Sequence, residues 1–178
     1  METKNFKVVT TKSNIDWTGK KVTGAHNGTI SIKTGTLVLE NGKLFGGDFV
    51  IDTTSIKILD VTDKATNDQF AGHLFSEDFF ATESYPEAVF AITNANSIDD
   101  TKYVISGDLT IKGITHPISF LADVNVTDDA ITSTGKIVVD RTKYNMRFRS
   151  GNFFTNLGDT LIYNEIELDV KLTAEATF

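Results

Sequence analysis

Apolar and polar residues alternate one by one along much of this chain, and a period of two is the signature of β-strands. The clearest run is Ile162 to Leu172, where Ile162, Ile166, Leu168, Val170 and Leu172 point one way and Glu165, Glu167, Asp169 and Lys171 the other. Ile105, Leu109 and Ile111 alternate with Ser106, Asp108 and Thr110. Ile118, Phe120, Ala122, Val124 and Val126 alternate with Ser119, Leu121, Asp123 and Asn125. Phe45, Gly47, Phe49 and Ile51 share another face. Antiparallel sheets with one wet face are patterned this way.

Turn signals separate the runs at short spacing: Lys33-Thr34-Gly35, Asn41-Gly42, Asp99-Asp100, Lys112-Gly113 and Asp128-Asp129. Strand, turn, strand describes a meander, and about eight such strands close into a barrel or fold into a sandwich. Gly46-Gly47 within a strand predicts a bulge or bend, which barrel closure needs.

One segment, about Asp60 to Pro86, breaks the alternation. Within it, Phe70 to Phe80 holds Phe70, Phe75, Phe79 and Phe80. These aromatics without strand spacing read as a plug or lid packed on the sheet. A turn or two of helix is expected around Leu74 to Asp78, with Ser76 as N-cap before Glu77-Asp78. Tyr85-Pro86 ends it, because the residue before proline resists helix.

The 178 residues fit a single domain, 1–178, with no repeat or low-complexity tract. The net charge of −7 argues against a nucleic-acid partner, since phosphate binding needs a basic face. With no cysteine, disulfides, zinc–thiolate sites and a cysteine nucleophile are excluded. The start, Met1-Glu-Thr-Lys-Asn-Phe6, lacks a signal-peptide pattern. The expected location is therefore cytoplasmic, or periplasmic or secreted if a signal has been removed.

Several segments in order resemble the YceI-like family of bacterial lipid-binding proteins. They include Trp17-Thr-Gly-Lys-Lys21 with Gly24-Ala-His26, and Gly46-Gly47 with Phe49, Ile51, Asp52 and Ser55-Ile56. Next come His73-Leu74, Asp78-Phe79-Phe80, Tyr85-Pro86 and Phe90. Gly107 to Gly113, Thr115-His-Pro117, Asp140-Arg-Thr142 and Asn156-Leu-Gly-Asp159 complete the set. The resemblance implies an all-β, antiparallel, eight-stranded, lipocalin-like barrel with a short helical lid. It also implies an interior that holds a polyisoprenoid or quinone-like lipid without enzymatic activity or a cofactor. Ala71-Gly72 and Asn145 stand where the family often has Arg-Asp and glycine, and Arg147 and Arg149 are unusual.

The candidate ligand contacts follow. Phe49, Phe75, Phe79, Phe80, Phe90 and Phe120 line a tunnel or pack a filled core. An isoprenoid offers no hydrogen bonds, so its affinity comes from apolar burial at about 25 cal/mol per Å². Ile51, Ile92, Phe148 and Phe153 join them. Trp17, the only tryptophan, plugs one end of the barrel or touches the ligand. His73, beside the lid phenylalanines, is the histidine placed to meet a ligand. His26 and His116 read as structural, and no histidine spacing suggests a metal site. Arg141, in the basic run Arg141 to Arg149, would suit a phosphate head group, or else pairs with a nearby carboxylate. Asp108, Asp140, Asp159 and Glu165 read as solvated rather than catalytic. Two other readings remain open at this level: a filled-barrel interaction or stress-related module without lipid, and an enzyme acting on a lipid in the cavity. An open edge in an incompletely closed barrel would pair two chains into a homodimer.

Overall fold

The computed structural model describes residues 2–151, 153–155, 157–158 and 161–177. The strands are β1 (Thr3–Val8), β2 (Asn14–Lys21), β3 (Gly24–Glu40), β4 (Lys43–Ile58), β5 (Glu87–Ser97), β6 (Lys102–Ile111), β7 (Ile114–Val126), β8 (Ala130–Asp140) and β9 (Ile162–Ala176). One α-helix, α1 (Lys64–Phe75), separates β4 from β5.

All pairings are antiparallel, and β3–β4 closes the sheet into a barrel. Nine strands fill eight positions. β2 lies between Gly24–Ile30 of β3 and Ile162–Lys171 of β9, and β1 continues the same rail between Thr36–Glu40 and Ala174–Ala176. A 3-10 turn at Thr10–Lys12 breaks the rail, and Ser13 Oγ bridges the break by donating to the carbonyls of Val9 and Thr173. The expected eight-stranded barrel is therefore present, with one position built from two segments.

The tight turns explain the registers. Asn41-Gly42 and Lys112-Gly113 have positive φ at both residues, the geometry that two-residue hairpins favour. Lys33-Thr34-Gly35 is a correction: it lies inside β3, where the β3–β4 register shifts between Ile32 and Thr34. Gly35 is needed for packing instead, since a Cβ there would stand 2.8 Å from both Phe49 and Val8 side chains. The bulge expected near Gly46-Gly47 is present, because Leu39 pairs with Leu44 while Val38 pairs with Gly46. The skipped residue, Phe45, turns outward and is 60% exposed, which corrects its expected place on the same face as Phe49.

The helix also differs from expectation. Asp63 is the N-cap, accepting from the Thr66 N–H at 3.0 Å, and α1 ends at Phe75. Ser76, read as an N-cap, is the C-cap, with both its N–H and its hydroxyl donating to the His73 carbonyl. The Asn67 amide ties the helix to the end of β4 by donating to the carbonyls of Ile58 and Val61. Leu74 is its one fully buried residue, with Phe70, Ala71 and Phe75 packed half-buried on the core.

The barrel interior divides into two halves along its axis. In the half that holds the β3–β4 turn, Phe49, Phe90 and Phe120 pack in series, with ring centroids 6.2 and 5.8 Å apart. That half retains a gap of only about 50 Å³. The half nearer α1 is hollow.

Candidate functional site

The hollow half encloses a cavity of about 840 Å³. The division repeats on five of the strands. Ile51 and Ile56 of β4, Ala88 of β5, Leu109 of β6, Val139 of β8 and Leu168 of β9 line the cavity. Phe49, Phe90, Ile105, Ile137 and Val170 of those same strands lie on the far side, around the small gap. The phenylalanine layer is thus the floor of the container. Ile162, Ile166 and Leu168 point inward yet are only half-buried, because they face this space.

The mouth is set by three segments. The β2–β3 hairpin contributes Lys20, Lys21 and His26, α1 contributes Thr66, Gln69 and Phe70, and the β8–β9 region contributes Arg149, Tyr163 and Glu165. His26 Nδ1 lies 2.9 Å from Asp60 Oδ2, and its ring meets Phe70 edge-on at 4.8 Å. Burial pushes the Asp60 carboxyl up. Hydrogen bonds from the Asn27 N–H and the His26 ring outweigh this and hold it below the usual carboxylate range. At the other end of the helix, His73 Nε2 lies 3.0 Å from Asp78 Oδ2, with Phe79 and Phe148 edge-on to the ring. Two histidine–aspartate pairs therefore flank the lid.

Two polar side chains that line the cavity are occupied by the protein itself. The Thr53 hydroxyl donates to the Tyr85 carbonyl at 2.8 Å. Arg141 is 1% exposed, and its guanidinium donates to three carbonyls: Tyr163 from Nε, Met146 from Nη1 and Ile162 from Nη2. Asp140 caps the 3-10 turn Arg141–Tyr144 by accepting from Thr142. The Asp-Arg-Thr motif thus pins the end of β8 to the start of β9. Burial lowers the Arg141 pKa, against the attraction of Asp140. Buried Lys112 does similar work, donating to the carbonyls of Glu77 and Asn145 and joining the lid exit to the β8–β9 connection. His116 lies 2.9 Å from the Lys143 carbonyl, a structural contact.

Of the residues singled out in the sequence, Trp17, Ile51, His73, Phe79, Phe80, Arg141 and Phe148 line the cavity. Phe49, Phe90, Ile92 and Phe120 belong to the floor. Phe75 packs half-buried against the core without lining the cavity. Phe153 lies outside, 48% exposed, with Arg147 stacked 4.5 Å over its ring. Asp159, a candidate carboxylate, and the Gly158-Asp159 turn and Asn156–Asp159 motif fall wholly or partly outside the described residues. The reading missed the aliphatic wall, including Ile15, Ile30 and Ile111, and the carbonyl-latching role of Arg141. Inward alternation was the available signal for the wall.

A YceI-like domain model matches residues 6–174. The chain belongs to the YceI-like family. Among curated relatives, a UPF0312 protein of Photorhabdus laumondii is 38% identical over 92 residues, covering 46% of either chain. The chain thus spans under half the length of that relative. Burkholderia cenocepacia BcnA has a similar structure, with a TM-score of 0.72 at 22% identity over 93% of this chain and 98% of that one. A polyisoprenoid binding domain from Saccharophagus degradans, implicated in plant cell wall breakdown, aligns with a TM-score of 0.69 at 15% identity. That alignment covers 97% of this chain and 98% of the other. At these identities the structural likeness speaks for the fold alone, a YceI-like barrel.

Proposed function

We propose that the protein is a non-catalytic carrier that encloses a long apolar chain, of polyisoprenoid or quinone-like type, with its tail on the Phe49–Phe90–Phe120 floor. The observation that carries this reading is the 840 Å³ aliphatic and aromatic cavity, open at one end. Its size falls within the range of about 300–1,000 Å³ usual for small-molecule sites. Its walls offer burial rather than hydrogen bonds, which suits a hydrocarbon. Thr53 and Arg141 direct their polar groups to main-chain carbonyls, which favours holding over chemistry. The polyisoprenoid-binding description of the Saccharophagus degradans neighbour agrees with this ligand class.

Native mass spectrometry of the purified protein, followed by organic extraction, tests it. A co-purifying polyprenyl or quinone-like mass is the expected result. A clean protein mass, together with no change in Trp17 fluorescence on adding detergent-solubilised isoprenoids, would overturn the reading.

A further inference from the structure

The rim of the cavity differs from the rest of an acidic protein. Its charged residues are Lys20, Lys21 and Arg149, with Glu165 the carboxylate among the lining residues. Lys21, Arg147 and Arg149 make no ion pair among the described residues, whereas Lys20 is held by Glu167 at 3.5 Å. Exposed apolar side chains occupy the same end. Val22, 46% exposed, sits at the β2–β3 tip, whose backbone N–H donates to the Leu161 carbonyl just before β9. Tyr163, equally exposed, lies one residue into β9 and lines the cavity. Leu59, exposed, is bound through its N–H to the Asn27 carbonyl on the β3 side. Arg147 covers Phe153 and Arg149 covers Phe148, the latter at 4.9 Å.

From this ring of apolar tips and unpaired cations around an apolar opening, we propose that the mouth end docks on a bilayer containing anionic lipids. The inference rests on the carrier reading, and extends it to how cargo enters. Lysine and arginine stems bury their methylenes at head-group depth while the charges meet lipid phosphates. A tyrosine ring is suited to the same depth. Val22 and Leu59 supply apolar contact below it. Docking in this orientation presents the opening to the acyl region, so a chain insoluble in water passes between bilayer and cavity without crossing solvent. The carboxylates at this end are mostly engaged: Glu167 by Lys20, Asp60 by His26, Asp78 by His73, and Asp63 and Asp68 along α1 by Thr66 and Lys64, with Glu165 on the rim and Glu77 beside the lid exit.

Flotation with phosphatidylcholine vesicles, with and without phosphatidylglycerol, tests the proposal. The protein is expected to float with the anionic vesicles and to be released by salt. Lys21→Ala is expected to weaken binding about fivefold, and Val22→Asp and Tyr163→Asp several-fold. Leu121→Asp, on the outer wall, serves as the control and should bind as the parent does. Equal partition to neutral and anionic vesicles would overturn the proposal, as would a loss for Leu121→Asp equal to that for Val22→Asp. Leu168→Trp, which fills the cavity and leaves the rim intact, separates the two readings. If it abolishes isoprenoid uptake and still floats, docking stands on the rim alone. Uptake from detergent by a parent protein that does not float would overturn docking and leave the carrier reading intact.

Discussion

Trp17 and Gly28 face each other across the β2–β3 pairing, and the indole occupies the space a side chain at 28 would need. A Cβ there would stand 2.7 Å from Cζ2 of Trp17 and overlap the Lys57 carbonyl oxygen. Trp17 keeps this position by donating from Nε1 to the Thr29 carbonyl at 3.2 Å. The wall of the cavity at this height is therefore one aromatic ring laid over bare backbone.

Gly28→Ala should destabilise the fold by about 3 kcal/mol, the upper end of ordinary overpacking, because one neighbour is main chain and cannot swing away. Thermal unfolding followed by Trp17 emission measures the loss. An unchanged midpoint would contradict the packing described.

The two halves of the barrel should respond differently to truncation. Phe90→Ala opens a hole in the filled half and is expected to cost about 3–5 kcal/mol. Leu168→Ala enlarges a space that already exists, so only the transfer part of the cost applies, about 2 kcal/mol. Urea titrations of both variants decide the matter, and equal costs would mean that the floor is misplaced.

Arg141→Lys should behave as a structural lesion. A lysine carries its three donors on one nitrogen and cannot reproduce bonds that leave from Nε, Nη1 and Nη2, so carbonyls among Tyr163, Ile162 and Met146 lose partners in a buried setting, at a total of about 3–5 kcal/mol. Calorimetry should show the lower midpoint with or without lipid. A variant that keeps the parent midpoint but loses lipid would instead make Arg141 a direct ligand contact.

Acid should loosen the lid before the barrel. Asp60 and Asp63 flank the entry to α1, and both carboxyls are held below the ordinary range, Asp63 by the Thr66 hydroxyl and N–H. A lowered folded-state pKa gives stability that is complete above the unfolded value of about 4 and lost as pH falls through the folded one. The protection of α1 amides, relative to their intrinsic exchange rates, should therefore fall below about pH 4 while β3–β4 amides stay protected. Asp63→Ala should mimic this at neutral pH by removing the helix cap. Simultaneous opening of helix and sheet would contradict it.

The strands were legible in the sequence because alternation records which side of a sheet a residue occupies. It does not record height along the barrel. That is set by pairing register, so of two buried aromatics Phe49 forms the floor while Phe79 lines the cavity above it. Phe45 was misplaced because a bulge resets alternation within one strand. The helix was misplaced because Ser76-Glu77-Asp78 resembles an N-terminus, whereas Asp63 to Thr66 forms it. The carbonyl latch of Arg141 was not legible because sequence shows a cation and hides the carbonyls around it.

β9 pairs with β8 on one side and with both β1 and β2 on the other, so it fills the gap between the last hairpin edge and the first strands. During synthesis on the ribosome, the segments before it can form only a curved sheet with a raw edge at β8. The container acquires an inside when β9 emerges, and until then its future lining is an apolar surface open to any chaperone or membrane nearby.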